Sequence, residues 1–144
     1  MILIDANILL YAYDESAEQY DQARSWLEQQ FSGGDLTALS WQSITAFLRI
    51  GTNPRAYAAP FTLREAAQIV SEWLNQGTVV VLTPTSRHWE IFRELLEEGQ
   101  AAGPLVMDAH LAALSIEHGA VLCTTDRDFS RFRGLRTSNP LSTG

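Results

Sequence analysis

The sequence predicts an α/β fold, a central and mainly parallel sheet of four to five short strands with helices on both faces. Three observations carry this. Short apolar runs recur along the chain as ILI (residues 2 to 4), LTAL (36 to 39), TVVVL (78 to 82) and AVLC (120 to 123). Between them lie longer segments with apolar residues at helical spacing. Cap and breaker residues mark most of the junctions. Strands that alternate with helices pair in parallel, because each crossover helix carries the chain back to the edge it started from.

The first strand ends at Asp5, where ANILLYAY opens a helix with Ile8, Leu9 and Ala12 on one face. SAEQ (16 to 19) reads as a capping box with Ser16 as N-cap and Gln19 at the third position, followed by an apolar face of Tyr20, Ala23, Leu27 and Phe31. Gly33 and Gly34 end that helix. After LTAL, Ser40 is placed to cap a third helix with Trp41, Ile44, Phe47 and Leu48 inward, stopped by GTNP (51 to 54). TLRE (62 to 65) is a second capping box, opening a helix through Trp73 and Leu74. TVVVL reads as a strand buried on both faces. A helix from Ser86 to about Glu98 turns Trp89, Phe92, Leu95 and Leu96 inward, and LVMDAHLAALSIEHG (105 to 119) forms another, ended by Gly119. AVLC is the fourth strand, RDFSRF a short helical turn, and LRT (135 to 137) a candidate fifth strand.

At 144 residues the chain fits a single domain, 1–144, with a core large enough to close without disulfides. Cys123 is the only cysteine and lies in an apolar run, which excludes an internal disulfide and suits a reducing cytosol. The apolar N-terminus lacks a basic flank and carries Asp5, unlike a secretory signal, and no run reaches membrane-spanning length. A soluble, cytoplasmic protein is expected. Ten basic against seventeen acidic residues give a net charge of −7, which argues against a generally positive nucleic-acid surface but leaves room for a local one. All ten basic residues are arginine. Genome composition explains that better than phosphate binding does, so the positions of the arginines carry more weight than their identity.

In parallel α/β sheets, ligands bind beyond the carboxyl ends of the strands. Asp5 follows the first strand, Asp126 follows the fourth, and Asp108 opens the helix leading into the fourth. Each alone is explained by helix capping. Gathered in one crevice they would repel, by roughly 3 kcal/mol per pair at 5 Å and an effective dielectric near 20. Such an oxygen-only set either takes up protons or binds a hard cation, Mg²⁺ or Mn²⁺. That arrangement suits phosphodiester hydrolysis. No dinucleotide or phosphate-binding glycine loop, nucleophile elbow or Cys/His metal set competes with this reading. His88, His110 and His118 are scattered and read as solvated or helix-end residues.

The segments ILIDANILLYAY, AFLRIGTNPR, LVMDAHLAALSIEHGAVLCTTDRDFSRF and LRTSNPL resemble the PIN-domain ribonucleases, specifically the VapC-type toxins of bacterial toxin–antitoxin pairs. The resemblance covers nearly the whole chain. It implies a three-layer α/β/α PIN domain, a homodimer, a Mg²⁺ or Mn²⁺ cofactor and endonucleolytic cleavage of RNA that arrests translation. It also implies a cognate VapB-type antitoxin and operator DNA bound only through the antitoxin complex. Asp5, Asp108 and Asp126 carry over as catalytic metal ligands, and Asp128 as a nearby acid that either binds metal or caps the following turn. Asn7 can orient Asp5 or a metal-bound water, or equally serve as a helix-start residue, and Thr124 resembles the family's hydroxyl residue at that position, though a strand threonine is equally ordinary. Many PIN domains carry a glutamate on the third helix. Here Phe47 stands in its place, and no acid lies between Leu36 and Arg64. Gln42, Ser43 and Thr45 are the nearest polar substitutes.

Arg49, Arg127 and Arg131 are candidate RNA-phosphate contacts, with Arg133 and Arg136 adding to a basic tail; ion pairing with nearby acids is the competing reading. Trp26, Trp41, Trp73 and Trp89 read as core or dimer interface. The rival function is a PIN-fold module that binds RNA or a partner without cutting it, motivated by the missing acid.

Overall fold

The computed structural model describes residues 1–141; residues 142–144, the end of the expected 1–144 domain, lie outside the described residues. The chain runs β1 (Ile2–Ile4), α1 (Ala6–Tyr11), α2 (Tyr20–Ser32), β2 (Thr37–Ser40), α3 (Trp41–Gly51), α4 (Leu63–Leu74), β3 (Val79–Leu82), α5 (His88–Glu98), α6 (Leu105–Glu117), β4 (Val121–Cys123), a 3₁₀ turn (Arg127–Arg131) and β5 (Thr137–Ser138). All strand pairs are parallel, in the order β3-β2-β1-β4-β5. The expected fifth strand exists, two residues later than the LRT run.

Strand alternation sorts the core into two layers. Leu3, Ala38 and Leu122 face α5 and α6 in one apolar cluster, while their neighbours Ile4, Leu39 and Cys123 face α1 to α4 in the other. This is a three-layer α/β/α arrangement, as expected from a period of two along each strand. From β1 the chain crosses to β2 on one side and later returns to β4 on the other, so the strand order reverses between β1 and β4. That switch point opens a crevice at the carboxyl edge of the sheet.

Four local expectations need correction. Ser16 does not cap α2: its N–H and hydroxyl are held by Asp14 Oδ1 at 3.1 and 2.6 Å, and the helix starts four residues later at Tyr20. The Asx turn at Asp14 takes the polar groups that the capping box needs. β3 is half-buried rather than covered on both faces, because it is an edge strand. Trp41 and Trp89 are not inward but 53% and 63% exposed. By contrast Thr62 and Glu65 form the predicted reciprocal box at 2.9 and 3.1 Å, and Ser40 Oγ accepts from Ser43 N–H at 3.0 Å to start α3.

Candidate active site

Topology brings the carboxyl ends of β1 and β4 and the first turns of α3 and α6 to one edge. Asp5 leaves β1 as the N-cap of α1: Oδ1 accepts from Ala6 N–H at 2.8 Å, and its own N–H donates to the Cys123 carbonyl of β4 at 3.0 Å. Oδ2 accepts from the Thr124 hydroxyl at 2.7 Å, and Thr124 Oγ1 in turn accepts from Asp126 N–H at 3.0 Å. Thr124 is buried, so this hydroxyl is a fixed bridge between the two strand-end aspartates. Asp126 Oδ1 then accepts from Asp128 N–H at 2.9 Å, capping the 3₁₀ turn.

Asp108, Asp126 and Asp128 each offer a carboxylate oxygen within 4.8 Å of the others. The fourth acid, Asp5, sits behind this group with both oxygens occupied as described. Asp128 is therefore a member of the cluster as well as a residue of the turn. Asp108 titrates at about 6 against an ordinary 3.8, raised first by burial and then by the charges of Asp126, Asp5 and Asp128, with Arg131 opposing. The Asp5 carboxyl is also raised, by burial above all, against the lowering effect of its Thr124 and Ala6 hydrogen bonds. Burial first, and the neighbouring carboxylates second, make both groups reluctant to ionise.

The surroundings are acceptors too. Asn7 Nδ2 donates to Thr125 Oγ1 at 2.8 Å, and Thr125 directly precedes Asp126. Gln42 Nε2 donates to the Met107 carbonyl at 3.0 Å, and Met107 directly precedes Asp108. The remaining oxygens, Asn7 Oδ1 and Gln42 Oε1, are shielded from solvent and have no partner. An unmet buried acceptor costs about 1–3 kcal/mol. A set of carboxylates and amide oxygens short of donors fits a hard, hydrated divalent cation; Asp108, Asp126 and Asp128 are placed to hold it, with Asp5 behind them.

Phe47 does not occupy a vacancy at this site. It is fully buried among Tyr13, Phe61 and Trp73, with ring centroids 5.7, 6.4 and 4.6 Å away. α3 runs away from the acids' edge, and position 47 faces the α4 side of the core. It also lines a cavity of about 600 Å³ with Tyr13, Arg24 and Tyr57, to which none of Asp5, Asp108, Asp126 and Asp128 contributes.

The arginines divide. Arg127 is exposed beside Asp126 and, with Thr124, Thr125 and Ser130, lines a smaller cavity of about 340 Å³. Arg131 donates to the Gly99 carbonyl at 2.9 Å and stays near enough to Asp108 to favour its charge. Arg49 is exposed in the last turn of α3, roughly 10 Å further along the axis than Gln42, at the end remote from the acids. Arg136 donates to the Gly119 carbonyl at 2.7 Å. Among the described residues none of these arginines forms an ion pair.

Sequence reasoning missed one polar network. His88 Nδ1 meets Glu117 Oε2 at 2.7 Å and His88 Nε2 meets His110 Nδ1 at 2.9 Å, with Glu117 Oε1 accepting from Thr85 N–H at 2.8 Å. The Glu117 side chain has no exposed surface. His88 and His110 are therefore not solvated end residues but a tie between α5 and α6. His118 does act at a helix end, its Nε2 meeting the Thr83 carbonyl at 2.8 Å.

Residues 2–135 match the PIN domain family model. The chain is 36% identical over 140 residues to Ribonuclease VapC37 of Mycobacterium tuberculosis, spanning 97% of both chains. It is 38% identical over 141 residues to Ribonuclease VapC33 of the same species, spanning 98% of this chain and 99% of the relative. Among solved structures it resembles VapBC2 from Rickettsia felis bound to a promoter DNA fragment, with a TM-score of 0.69 at 19% identity over 96% of this chain and 98% of the other. It also resembles VapC20 from Mycobacterium tuberculosis, a sarcin–ricin loop cleaving toxin, with a TM-score of 0.67 at 18% identity over 94% and 99%. The chain belongs to the PIN-domain family and, within it, to the VapC ribonucleases.

Proposed function

We propose that this protein is a divalent-metal-dependent endoribonuclease toxin, using Mg²⁺ or Mn²⁺, that cleaves RNA phosphodiesters and thereby inhibits translation. The observation that carries the proposal is the convergence of Asp108, Asp126 and Asp128 within 4.8 Å at the sheet's switch point, backed by Asp5. Held by Asp108, Asp126 and Asp128, a divalent cation would supply positive charge for the phosphoryl oxygen and a lowered pKa for the attacking water. The chain's own residues do the rest. The Thr124 hydroxyl fixes the spacing of Asp5 and Asp126, and the N–H of Asp128 fixes the Asp126 carboxylate. Asn7 ties α1 to the loop that carries Asp126. Arg127, exposed at the mouth, is the best-placed contact for a substrate phosphate, with Arg131 next and Arg49 least favoured by its position.

The VapBC complexes among the structural neighbours support an antitoxin partner in this reading. A VapB-type antitoxin neutralises the toxin, operator DNA is bound through that complex, and the toxin itself is a homodimer working in the cytoplasm. Trp41, Trp89 and Met107, each more than half exposed, supply apolar surface for such contacts. Among the described residues no helix is long and apolar enough to cross a membrane.

The test is cleavage of total RNA by the purified protein with Mn²⁺, beside Asp126→Asn and an EDTA control. Cleavage lost in both controls supports the proposal. Mn²⁺ binding without cleavage would favour the binding-module reading, and cleavage surviving either control would remove the acids from the chemistry.

A further inference from the structure

We propose that Gln42 is a positioning residue of the metal centre, accepting a hydrogen bond from the hydration shell of the cation through Oε1 and acting as the neutral α3 counterpart of the acid this chain lacks. The inference rests on the metal-site reading above.

Three polar side chains on the first turns of α3 are available, and their hydrogen bonds separate them. Ser43 is engaged with Ser40, its Oγ accepting from Ser40 Oγ at 3.1 Å within the helix cap. Thr45 Oγ1 is turned back onto its own helix, donating to the Trp41 carbonyl at 2.8 Å and lying 3.1 Å from that of Gln42. Of the three, only Gln42 has a buried polar atom with no hydrogen-bond partner at all. Because its other amide end meets a carbonyl, which only accepts, that end must be the N–H₂ group, so Oε1 is unambiguously the unpaired atom. Oε1 is buried, and the carbonyl that anchors the side chain directly precedes Asp108.

Asn7 repeats the arrangement on the other side. Its amide N–H₂ donates to the residue immediately before Asp126, and its oxygen is likewise buried and unpaired. Two amides approach the acids from α1 and α3, each tethered one residue ahead of a clustered aspartate and each left with an oxygen in need of a donor. Water on a cation is the donor this geometry lacks.

Gln42→Glu separates this role from that of a simple tether. A glutamate cannot donate to the Met107 carbonyl, so if Gln42 only braces α6, the substitution weakens metal binding. If Oε1 faces the cation's hydration shell, the added charge tightens it. Mn²⁺ titration by calorimetry in the absence of RNA is expected to show at least about tenfold tighter binding for Gln42→Glu and about tenfold weaker binding for Gln42→Met. Circular dichroism establishes that each variant is folded. Gln42→Glu binding no tighter than wild type, or Gln42→Met binding equally well, overturns the inference. Asp126→Asn in the same series keeps the two readings apart: if wild type itself binds no Mn²⁺, or Asp126→Asn binds like wild type, the metal-site reading fails. If only the Gln42 variants are silent, this inference alone fails.

Discussion

Replacing Asp108 with asparagine should make the metal-free protein more stable. The Asp108 carboxyl titrates at about 6 rather than 3.8, because burial and the charges of Asp126, Asp5 and Asp128 resist its ionisation. That displacement corresponds to about 3 kcal/mol at about 1.4 kcal/mol per tenfold change in proton affinity. Asp126 and Asp128 are exposed and water screens the cluster, so about 1–2 kcal/mol is the expected effect. For a chain of this length that is roughly 3–6 °C in melting temperature. The pH window follows from the direction. The folded state holds the Asp108 proton more tightly than the unfolded state, so stability falls as pH rises from 3.8 to about 6, and the full cost is present above that. Asp108→Asn should therefore melt higher than wild type in EDTA at pH 7.5, with the advantage shrinking through pH 6 and gone near pH 4. Mn²⁺ should invert the order, since only wild type gains binding free energy. Thermal unfolding followed by circular dichroism measures all of this. An Asp108→Asn protein that melts at or below wild type in EDTA at pH 7.5, or an offset independent of pH, would refute the reasoning.

Phe47→Ala should cost about 3–5 kcal/mol by emptying the space between Tyr13, Phe61 and Trp73, while leaving Mn²⁺ affinity unchanged in the folded protein; altered affinity would put position 47 back in the metal site. His88→Ala should cost about 3 kcal/mol in chemical denaturation, because it strands the Glu117 carboxylate inside the protein, and adding Glu117→Gln should recover part of that loss. A destabilisation by His88→Ala that Glu117→Gln leaves untouched would mean that the pair is not coupled.

The parts of this molecule written in local pattern were legible. Strand–helix alternation gives the parallel sheet, and the rule that ligands sit beyond strand ends picks out Asp5 and Asp126. Thr62 and Glu65 are close enough in sequence for their box to be read directly. Ser16 failed for an equally local reason, since Asp14 two residues earlier competes for its donors. The burial of β3 depends on where it falls in the strand order, which no single strand encodes. Phe47 matches the family's acid by position along the chain, yet its place on the helix turns it into the core. The pairings that shape the site and its neighbour, Asn7 with Thr125 across 118 residues and His88 with Glu117 across 29, join elements whose packing must be known first. Asp128 lay between these cases, equally explained as cap and as ligand. The cluster distance makes it a neighbour of Asp108 and Asp126 in either role.

The central claim, that these aspartates converge to hold a divalent cation, is tested most directly by Mn²⁺ titration of the purified protein near pH 7.5, followed by electron paramagnetic resonance of the free ion. Saturable binding in wild type, lost in Asp126→Asn and in Asp108→Asn, is the predicted result. Binding of equal affinity and stoichiometry in wild type and both variants, or none in wild type, would contradict it.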